Sequence, residues 1–213
     1  MKHIYCISGF GADGRVFSKL NFVNTDVHFI PWFNPLKKET IEAYAKRMSA
    51  QIHHKDPILF GLSFGGIMCI EIAKIISTGK VIIISSIKSF HEMPLWMKLT
   101  GKLQLDKIVP LKTFKFIEPL ENFNLGIENN EELKLVSEYR KTIGQQYTNW
   151  ATHQILNWKN EWQPKNMVHI HGGKDHIFPL KNIKADYVIP DGGHFMIMNR
   201  YQKVNNILEE ILN

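Results

Sequence analysis

Residues 57–73 have the sequence PILFGLSFGGIMCIEIA, in which a short apolar run leads into a group of glycines around Ser63. The run before Ser63 does not alternate with polar residues, which is typical of a strand covered by helices on both faces. Gly61 and Gly65 flank the serine at two residues on either side, the G-x-S-x-G spacing of a serine on a tight strand-to-helix turn. Such a turn lifts the hydroxyl clear of the sheet at the positive end of a helix. Ser63 is therefore a candidate nucleophile.

Outward from this segment, short β-branched runs alternate with longer amphipathic ones. The predicted strands are His3–Ser8, Asp26–Trp32, Pro57–Leu62, Lys80–Ser86, Met167–His171 and Asp186–Ile189. The predicted helices are Gly14–Leu20, Lys38–His54, Phe64–Thr78 and Phe195–Leu212. Alternating strands and helices imply parallel strands joined by crossovers. The predicted fold class is α/β, a three-layer sheet of about six mostly parallel strands with helices on both faces.

Residues 88–163 interrupt this alternation, since they contain no strand signal. Apolar and aromatic residues recur there at helical spacing and predict one long helix from Glu131 to about Trp158. The segment is rich in aromatic residues, namely Trp96, Trp150, Trp158, Trp162, Phe90, Phe114, Phe116 and Phe123. We therefore predict a core domain built from residues 1–87 and 164–213, and a helical insertion over residues 88–163.

The composition excludes several classes of protein. Of 213 residues, 44% are hydrophobic and 22% charged, which are globular proportions. No apolar run approaches the length of about 18 residues that a transmembrane helix needs. The apolar stretch near the N-terminus is too short for a signal peptide. The cysteines, Cys6 and Cys69, have the spacing of neither a zinc site nor a disulfide framework, so we expect a reducing, cytoplasmic location.

The formal net charge of +6 raises the question of a nucleic-acid partner. Arginine is best suited to forked contacts with phosphate, but most of the 26 basic residues are lysines scattered along the chain. The arginines are Arg15, Arg47, Arg140 and Arg200. This pattern favours a solvated lysine-rich surface, and we expect no nucleic-acid partner.

A serine nucleophile needs a base to take its proton and a carboxylate to orient that base. Asp175 lies in the turn after one predicted strand, and His194 follows the next strand along the chain. The carboxyl ends of parallel strands meet at one edge of a sheet, so both side chains are expected near Ser63. The order Ser, Asp, His is the one that a nucleophile elbow requires. The rival residues are His53, His54, His171 and His176 for the base, and Asp191 for the acid.

Together these motifs resemble those of the α/β-hydrolases, and specifically the small lidded carboxylesterase-type members related to pimeloyl-ester esterase. The matching segments are Ser8-Gly9-Phe10-Gly11, the elbow at Ser63, Gly172-Gly173-Lys174-Asp175 and Gly192-Gly193-His194. The resemblance implies a Ser63 nucleophile, an Asp175 acid and a His194 base. It also implies an oxyanion hole formed by the N–H groups of Phe10 and Phe64, with residues 88–163 as the lid.

The chain departs from the pattern of this family in two respects. Ser8 replaces a histidine often found before the oxyanion-loop glycine, which bears on how that loop is held. The first two antiparallel strands of larger members are also missing from the predicted sheet.

The aromatic insertion favours an apolar cavity. We therefore expect a small-molecule ester or thioester substrate with an apolar acyl or aromatic group, and no cofactor. Trp96 and Trp150 are candidate substrate-binding residues, and Arg140, the only arginine of the insertion, is a candidate anchor for an anionic substrate tail. The sequence leaves the acyl group, the alcohol and the oligomeric state undetermined.

Other functions remain open at this stage. A C–C lyase of the same fold uses the same triad, although the menaquinone-pathway type carries an arginine where this chain has Ile67. A non-catalytic ligand receptor on the hydrolase scaffold is a further alternative. An oxidoreductase is less favoured, because the G-x-G-x-x-G match over residues 9–14 lacks the acidic residue after the second strand that would hold a ribose. Epoxide hydrolases and dehalogenases would need an aspartate in place of Ser63. No metal is predicted, since H-x-x-x-H and C-x-x-C spacings are absent.

Overall fold

Six parallel strands form one sheet in a computed structural model that describes residues 1–104 and 117–213. The strands are β1 (Lys2–Ile7), β2 (Thr25–Ile30), β3 (Ile58–Leu62), β4 (Lys80–Ile84), β5 (Met167–Gly172) and β6 (Tyr187–Ile189). Their order across the sheet is β2-β1-β3-β4-β5-β6, and each neighbouring pair is parallel. The predicted α/β class is confirmed, and each predicted strand is found with its ends shifted by at most two residues.

The described residues contain eight α-helices, of which the last two follow β6. They are α1 (Ile41–Ser49), α2 (Phe64–Ala73), α3 (Leu95–Lys102), α4 (Glu118–Leu125), α5 (Asn130–Thr142), α6 (Gln145–Asn157), α7 (Met196–Asn199) and α8 (Tyr201–Leu212). The predicted helix over Gly14–Leu20 is only a short 3-10 turn, Gly14–Phe17, and the predicted C-terminal helix is divided at Arg200. Phe114 and Phe116 lie outside the described residues.

The prediction of one continuous helix from Glu131 to about Trp158 is wrong. Ile143 and Gly144 have extended backbone conformations, with ψ angles of 124° and 143°, and separate α5 from α6. The Ile143 side chain packs so closely on Gly11 that a Cβ there would collide with it. The apolar spacing continues across the break because both helices bury residues such as Val136 and Ala151. Periodicity alone therefore did not reveal the kink.

Hydrophobic side chains cover both faces of the sheet. Along β1, Tyr5 and Ile7 belong to the cluster under α1 and α2, while Ile4 and Cys6 belong to the cluster under α8. Successive residues of a strand point to opposite faces, so an entirely apolar β1 fits a sheet covered on both sides. Among the described residues, no helix has the length and apolar composition needed to cross a bilayer.

Helices α3 to α6 belong to the segment between β4 and β5, and two of its contacts with the core lie near the carboxyl edge of the sheet. On one side, the Trp150 indole N–H donates to the Glu39 carbonyl at the start of α1, at 2.7 Å. On the other, the Leu125 carbonyl at the end of α4 accepts from the Phe195 amide at 2.8 Å. The second contact lies beside His194, so the segment reaches the carboxyl edge of the sheet.

Candidate active site

Ser63 lies on a sharp turn between β3 and α2. Its φ of 53° and ψ of −117° are rarely adopted by a residue with a side chain, so the surrounding structure must hold the turn. A Cβ at Gly61 would collide with the Gly65 carbonyl, and one at Gly65 would collide with the Ile7 carbonyl. Both glycines are therefore required by the close approach of β1, β3 and α2, as the G-x-S-x-G spacing predicts.

Hydrogen bonds to the sheet fix the backbone of the serine. The Ser63 amide donates to the Ile84 carbonyl at 2.9 Å, and the Ser86 hydroxyl donates to the Ser63 carbonyl at 2.7 Å. These contacts orient the turn on both sides of the nucleophile candidate and leave its side chain half-buried at the surface of the site.

The structure brings Ser63, His194 and Asp175 into one chain of hydrogen bonds. The Nε2 atom of His194 lies 2.9 Å from the Ser63 Oγ, and its Nδ1 atom lies 2.8 Å from the Asp175 Oδ2. The three residues come from the loops after β3, β5 and β6, which meet at the carboxyl edge of the sheet. His194 and Asp175 are buried, so the pair is largely shielded from water.

The Asp175 carboxylate is held by more than the histidine. Its Oδ1 accepts hydrogen bonds from the Ile177 and Phe178 amides, both at 2.8 Å. Burial alone would raise the pKa of Asp175, but the neighbouring His194 and the hydrogen bond from the Phe178 amide outweigh it, so the pKa is lowered from its ordinary value. The carboxylate is thus ionised at neutral pH and able to stabilise a positively charged imidazole.

Two rival histidines, His171 and His176, have other contacts. The Nε2 of His171 lies 2.8 Å from the Phe178 carbonyl oxygen and 3.6 Å from the Asp175 Oδ2, and burial lowers the pKa of this side chain. His171 therefore packs beneath the carboxylate as a neutral neighbour. The ring of His176 lies against Phe123, with centroids 4.8 Å apart.

The rival acid, Asp191, pairs with basic side chains and not with His194. Its carboxylate pairs with Lys203 at 2.6 Å and with Arg200 at 2.9 Å, and the hydrogen bond to Lys203 contributes most to a pKa lowered to about 2. Arg200 also binds Glu128 at 2.8 Å. Arg200 therefore links Asp191, in the loop before His194, to Glu128, in the segment between α4 and α5.

The loop after β1 is held by Ser8 and Trp32. The Ser8 hydroxyl donates to the Ala12 carbonyl at 2.6 Å, and the Trp32 indole N–H lies 3.0 Å from both the Ser8 Oγ and the Gly9 carbonyl oxygen. Ser8 and Trp32 together therefore hold the backbone of this loop. The sequence analysis missed Trp32, whose only signal was its place at the end of a strand beside this loop.

The loop after β1 also lies against the elbow. A Cβ at Gly9 would be 3.6 Å from the Ser63 Cβ, so Phe10 follows directly at the rim of the site. Phe64 is the first residue of α2, where an amide N–H has no acceptor within its own helix. The Phe64 ring is buried and stacks on Trp32, with centroids 5.0 Å apart. The assignment of the Phe10 and Phe64 amides to an oxyanion hole stays a prediction.

Aromatic side chains from the core and from α6 pack together near this loop. Tyr147 lies 5.8 Å from the Phe10 ring and 5.6 Å from the Trp32 ring, measured between centroids. Behind the loop, a cavity of about 450 Å³ is lined by Trp32, Ile143 and Tyr147, among others. The surroundings of the loop are therefore predominantly apolar.

The structure places the three candidate substrate-binding residues differently. Trp150 stacks on Tyr44, with centroids 4.2 Å apart, and its ring edge faces Phe64 at 6.0 Å. Trp96 is 56% exposed on α3. Arg140 interacts with other side chains of the insertion.

The Arg140 guanidinium forms contacts with α4. Its Nη2 atom donates to the Asn122 Oδ1 at 2.7 Å and lies 3.2 Å from the Glu121 carboxylate. Its Nη1 atom is buried and has no hydrogen-bond partner among the described residues, and the assignment of Arg140 as an anchor for an anionic substrate tail stays a prediction.

No model of a known protein family matches the chain, and no curated protein matches it. Solved structures do match. A thermophilic esterase from Thermogutta terrifontis aligns with 17% identity and a TM-score of 0.72, covering 100% of this chain and 89% of the other. An esterase from Exiguobacterium antarcticum aligns with 12% identity and a TM-score of 0.73, covering 100% and 92%. An epoxide hydrolase from Bacillus megaterium aligns with 15% identity and a TM-score of 0.66, covering 100% and 94%. The chain has the α/β-hydrolase fold.

Proposed function

We propose that this protein is a serine hydrolase that cleaves a small carboxylic ester or thioester through an acyl-enzyme intermediate. The observation that carries the proposal is the continuous set of hydrogen bonds from Ser63 through His194 to Asp175, at 2.9 and 2.8 Å. A serine hydroxyl becomes a competent nucleophile when a base accepts its proton and a carboxylate orients that base.

In the proposed reaction, the Ser63 Oγ attacks the carbonyl carbon while His194 Nε2 takes the hydroxyl proton. The ionised Asp175 holds the Nδ1–H tautomer and stabilises the imidazolium. The tetrahedral intermediate collapses when His194 returns the proton to the leaving alcohol or thiol. Water, activated by the same imidazole, then releases the acyl group from Ser63.

The negative oxygen of the tetrahedral intermediate is expected to face the amides of Phe10 and Phe64. Support comes from the contact of the Gly9 loop with the elbow and from the position of Phe64 at the start of α2. Removing one donor of such a hole in other enzymes costs about 3–4 kcal/mol of barrier.

The proposed substrate carries an apolar acyl or aromatic group, and residues 88–163 serve as a lid over it. Support comes from the aromatic packing of Tyr147 and Trp150 against Phe10 and Phe64. The contact of Leu125 with the loop of His194 gives the segment a second attachment beside the relay.

The test is hydrolysis of p-nitrophenyl esters from acetate to octanoate by the purified full chain. We expect sustained turnover, with kcat/KM highest at the acyl length that fills the apolar pocket. Ser63→Ala is expected to lower kcat at least about 1,000-fold. Ser49→Ala, which removes an exposed hydroxyl bound to the Lys46 carbonyl, is the matched control and should leave kcat unchanged. Stoichiometric binding of ester without turnover would overturn the proposal in favour of a receptor.

A further inference from the structure

Three histidines that are far apart in the sequence meet beside β1 and β2. His3 lies in β1, His28 lies in β2, and His54 lies between α1 and β3. A ligating nitrogen from each lies within 4.8 Å of the others. All three side chains are partly exposed, so the cluster is accessible from solvent.

The sheet register explains why the histidines meet. His3 pairs with Asp26, and Tyr5 pairs with His28, so these four side chains project from the same face of the β1–β2 pair. The Tyr5 and His28 rings stack, with centroids 4.5 Å apart. Ser63 follows the carboxyl end of β3, whereas His3 is the second residue of β1, so the cluster is separate from the relay.

Asp26 completes a regular arrangement of donor atoms. The His3 Nδ1 and His28 Nε2 atoms lie 3.3 Å apart. The Asp26 Oδ2 atom lies 3.3 Å from the first of these nitrogens and 3.2 Å from the second. The three donors therefore form an almost equilateral triangle.

This triangle has the size of one face of a zinc tetrahedron. Zinc binds imidazole nitrogen and carboxylate oxygen at about 2.0–2.1 Å, which places neighbouring ligands of a tetrahedral site about 3.3 Å apart. We propose that His3, Asp26, His28 and His54 form a binding site for a divalent zinc ion. The ion would be bound by three neutral imidazoles and one carboxylate, a donor set that zinc accepts.

His54 is close enough to supply a fourth donor once its ring tilts. The ring is stacked on His3, with centroids 3.4 Å apart and an angle of 8° between the planes, so it must turn out of this stack to direct a nitrogen at an ion bound in the plane of the His3 ring. Its Nδ1 atom lies 2.7 Å from the Tyr5 hydroxyl oxygen, and the tautomer that donates from Nδ1 keeps a lone pair on Nε2 for the ion. A hydrogen bond at the other ring nitrogen is the usual support of a metal-binding histidine.

The accessibility of the ligands suits exchange with free metal ions. The side chains of His3, Asp26 and His28 are 26%, 43% and 31% exposed. Zinc at this position would tie β1, β2 and the segment before β3 together. No metal was predicted from the sequence, because the four donor residues lie on three separate elements and do not follow the local spacing of a zinc motif.

The test is calorimetric titration of zinc chloride into the chelator-treated full chain, which needs no catalytic readout and is independent of the proposed hydrolase activity. We expect one zinc ion per chain. Even outer partners of metal ligands change affinity about 10- to 100-fold, so His3→Ala and His28→Ala are each expected to weaken binding more than about 100-fold. Asp26→Asn and His54→Ala are expected to weaken it at least about 10-fold.

The matched control is His91→Ala. His91 also lies beside a carboxylate, that of Glu161 at 3.3 Å, but it is not part of the proposed site, so this variant should bind zinc as the wild type does. Circular dichroism in chelator establishes that each variant is folded. If His3→Ala does not fold, Asp26→Asn and His28→Ala carry the test. Cobalt(II) in place of zinc should show the strong ligand-field absorption of a four-coordinate site in the wild type and in His91→Ala, but not in His3→Ala or His28→Ala. The absence of zinc binding, or affinity that is unchanged in Asp26→Asn and His28→Ala, would overturn the proposal.

Discussion

Replacing Asp175 with asparagine tests the orientation of His194. The Asp175 Oδ1 accepts from the Ile177 and Phe178 amides, both at 2.8 Å. Only the oxygen of an asparagine amide can accept those bonds, so its NH₂ group is directed towards His194 Nδ1. The imidazole must then accept at Nδ1 and carry its proton on Nε2, where it is unable to take the proton of Ser63.

The size of this effect follows from the proposed chemistry. The same exchange in a serine protease triad lowers kcat about 10⁴-fold, which corresponds to about 5.4 kcal/mol of barrier at 1.36 kcal/mol for each factor of ten. The two backbone hydrogen bonds persist in Asp175→Asn, so the fold should be retained. The loss is therefore expected in kcat, with a much smaller effect on KM.

The assay is p-nitrophenyl butyrate hydrolysis by Asp175→Asn, with thermal melting to establish that the variant is folded. Asp191→Asn is the matched control, because this carboxylate pairs with Lys203 and Arg200 on the surface. It is expected to keep the kcat of the wild type. Activity of folded Asp175→Asn within tenfold of the wild type would refute the assigned role.

Three further predictions concern the turn at Ser63, the loop after β1 and the buried His169. In a urea titration, Gly65→Ala should lower the free energy of unfolding by about 1–3 kcal/mol or prevent folding, because its Cβ collides with the Ile7 carbonyl. Gly144→Ala is the control, since its Cβ meets nothing within 4 Å and the free energy of unfolding should hardly change. Trp32→Phe removes the indole N–H that holds the loop after β1, so kcat should fall about tenfold with little change in KM; an unchanged kcat would contradict this role. Burial lowers the pKa of His169 to about 3, whereas the unfolded state binds this proton below its ordinary pKa of about 6.5. Between about pH 6.5 and about pH 3 the unfolded state thus binds more protons, and the free energy of unfolding falls as the pH falls. His169→Leu should make the free energy of unfolding depend less steeply on pH in urea titrations from pH 7 to pH 4. A dependence as steep as that of the wild type would contradict the lowered pKa of His169.

The sheet and the relay were largely predictable because local chemistry encodes them. Apolar runs without alternation marked strands buried on both faces. The glycines around Ser63 marked the turn, since no larger residue fits between β1, β3 and α2. The proximity of Ser63, Asp175 and His194 then followed from the rule that parallel strands end at one edge of the sheet.

Features that depend on contacts between distant segments were not predictable. The break at Ile143 and Gly144 depends on packing against Gly11, more than a hundred residues earlier, so helical periodicity did not show it. The bond from Trp32 to the Gly9 carbonyl was missed for the same reason, as it joins two loops. The contacts of Arg140 with α4 likewise follow no local sequence pattern, and its candidate role as a substrate anchor stays a prediction.

The proposed hydrolase depends above all on Ser63 acting as the nucleophile. Incubation of the full chain with a fluorophosphonate, followed by digestion and peptide mass spectrometry, tests it most directly. We expect one covalent adduct, located on the peptide that contains Ser63, and no adduct in folded Ser63→Ala. Equal labelling of wild type and Ser63→Ala, or an adduct on another residue only, would contradict it.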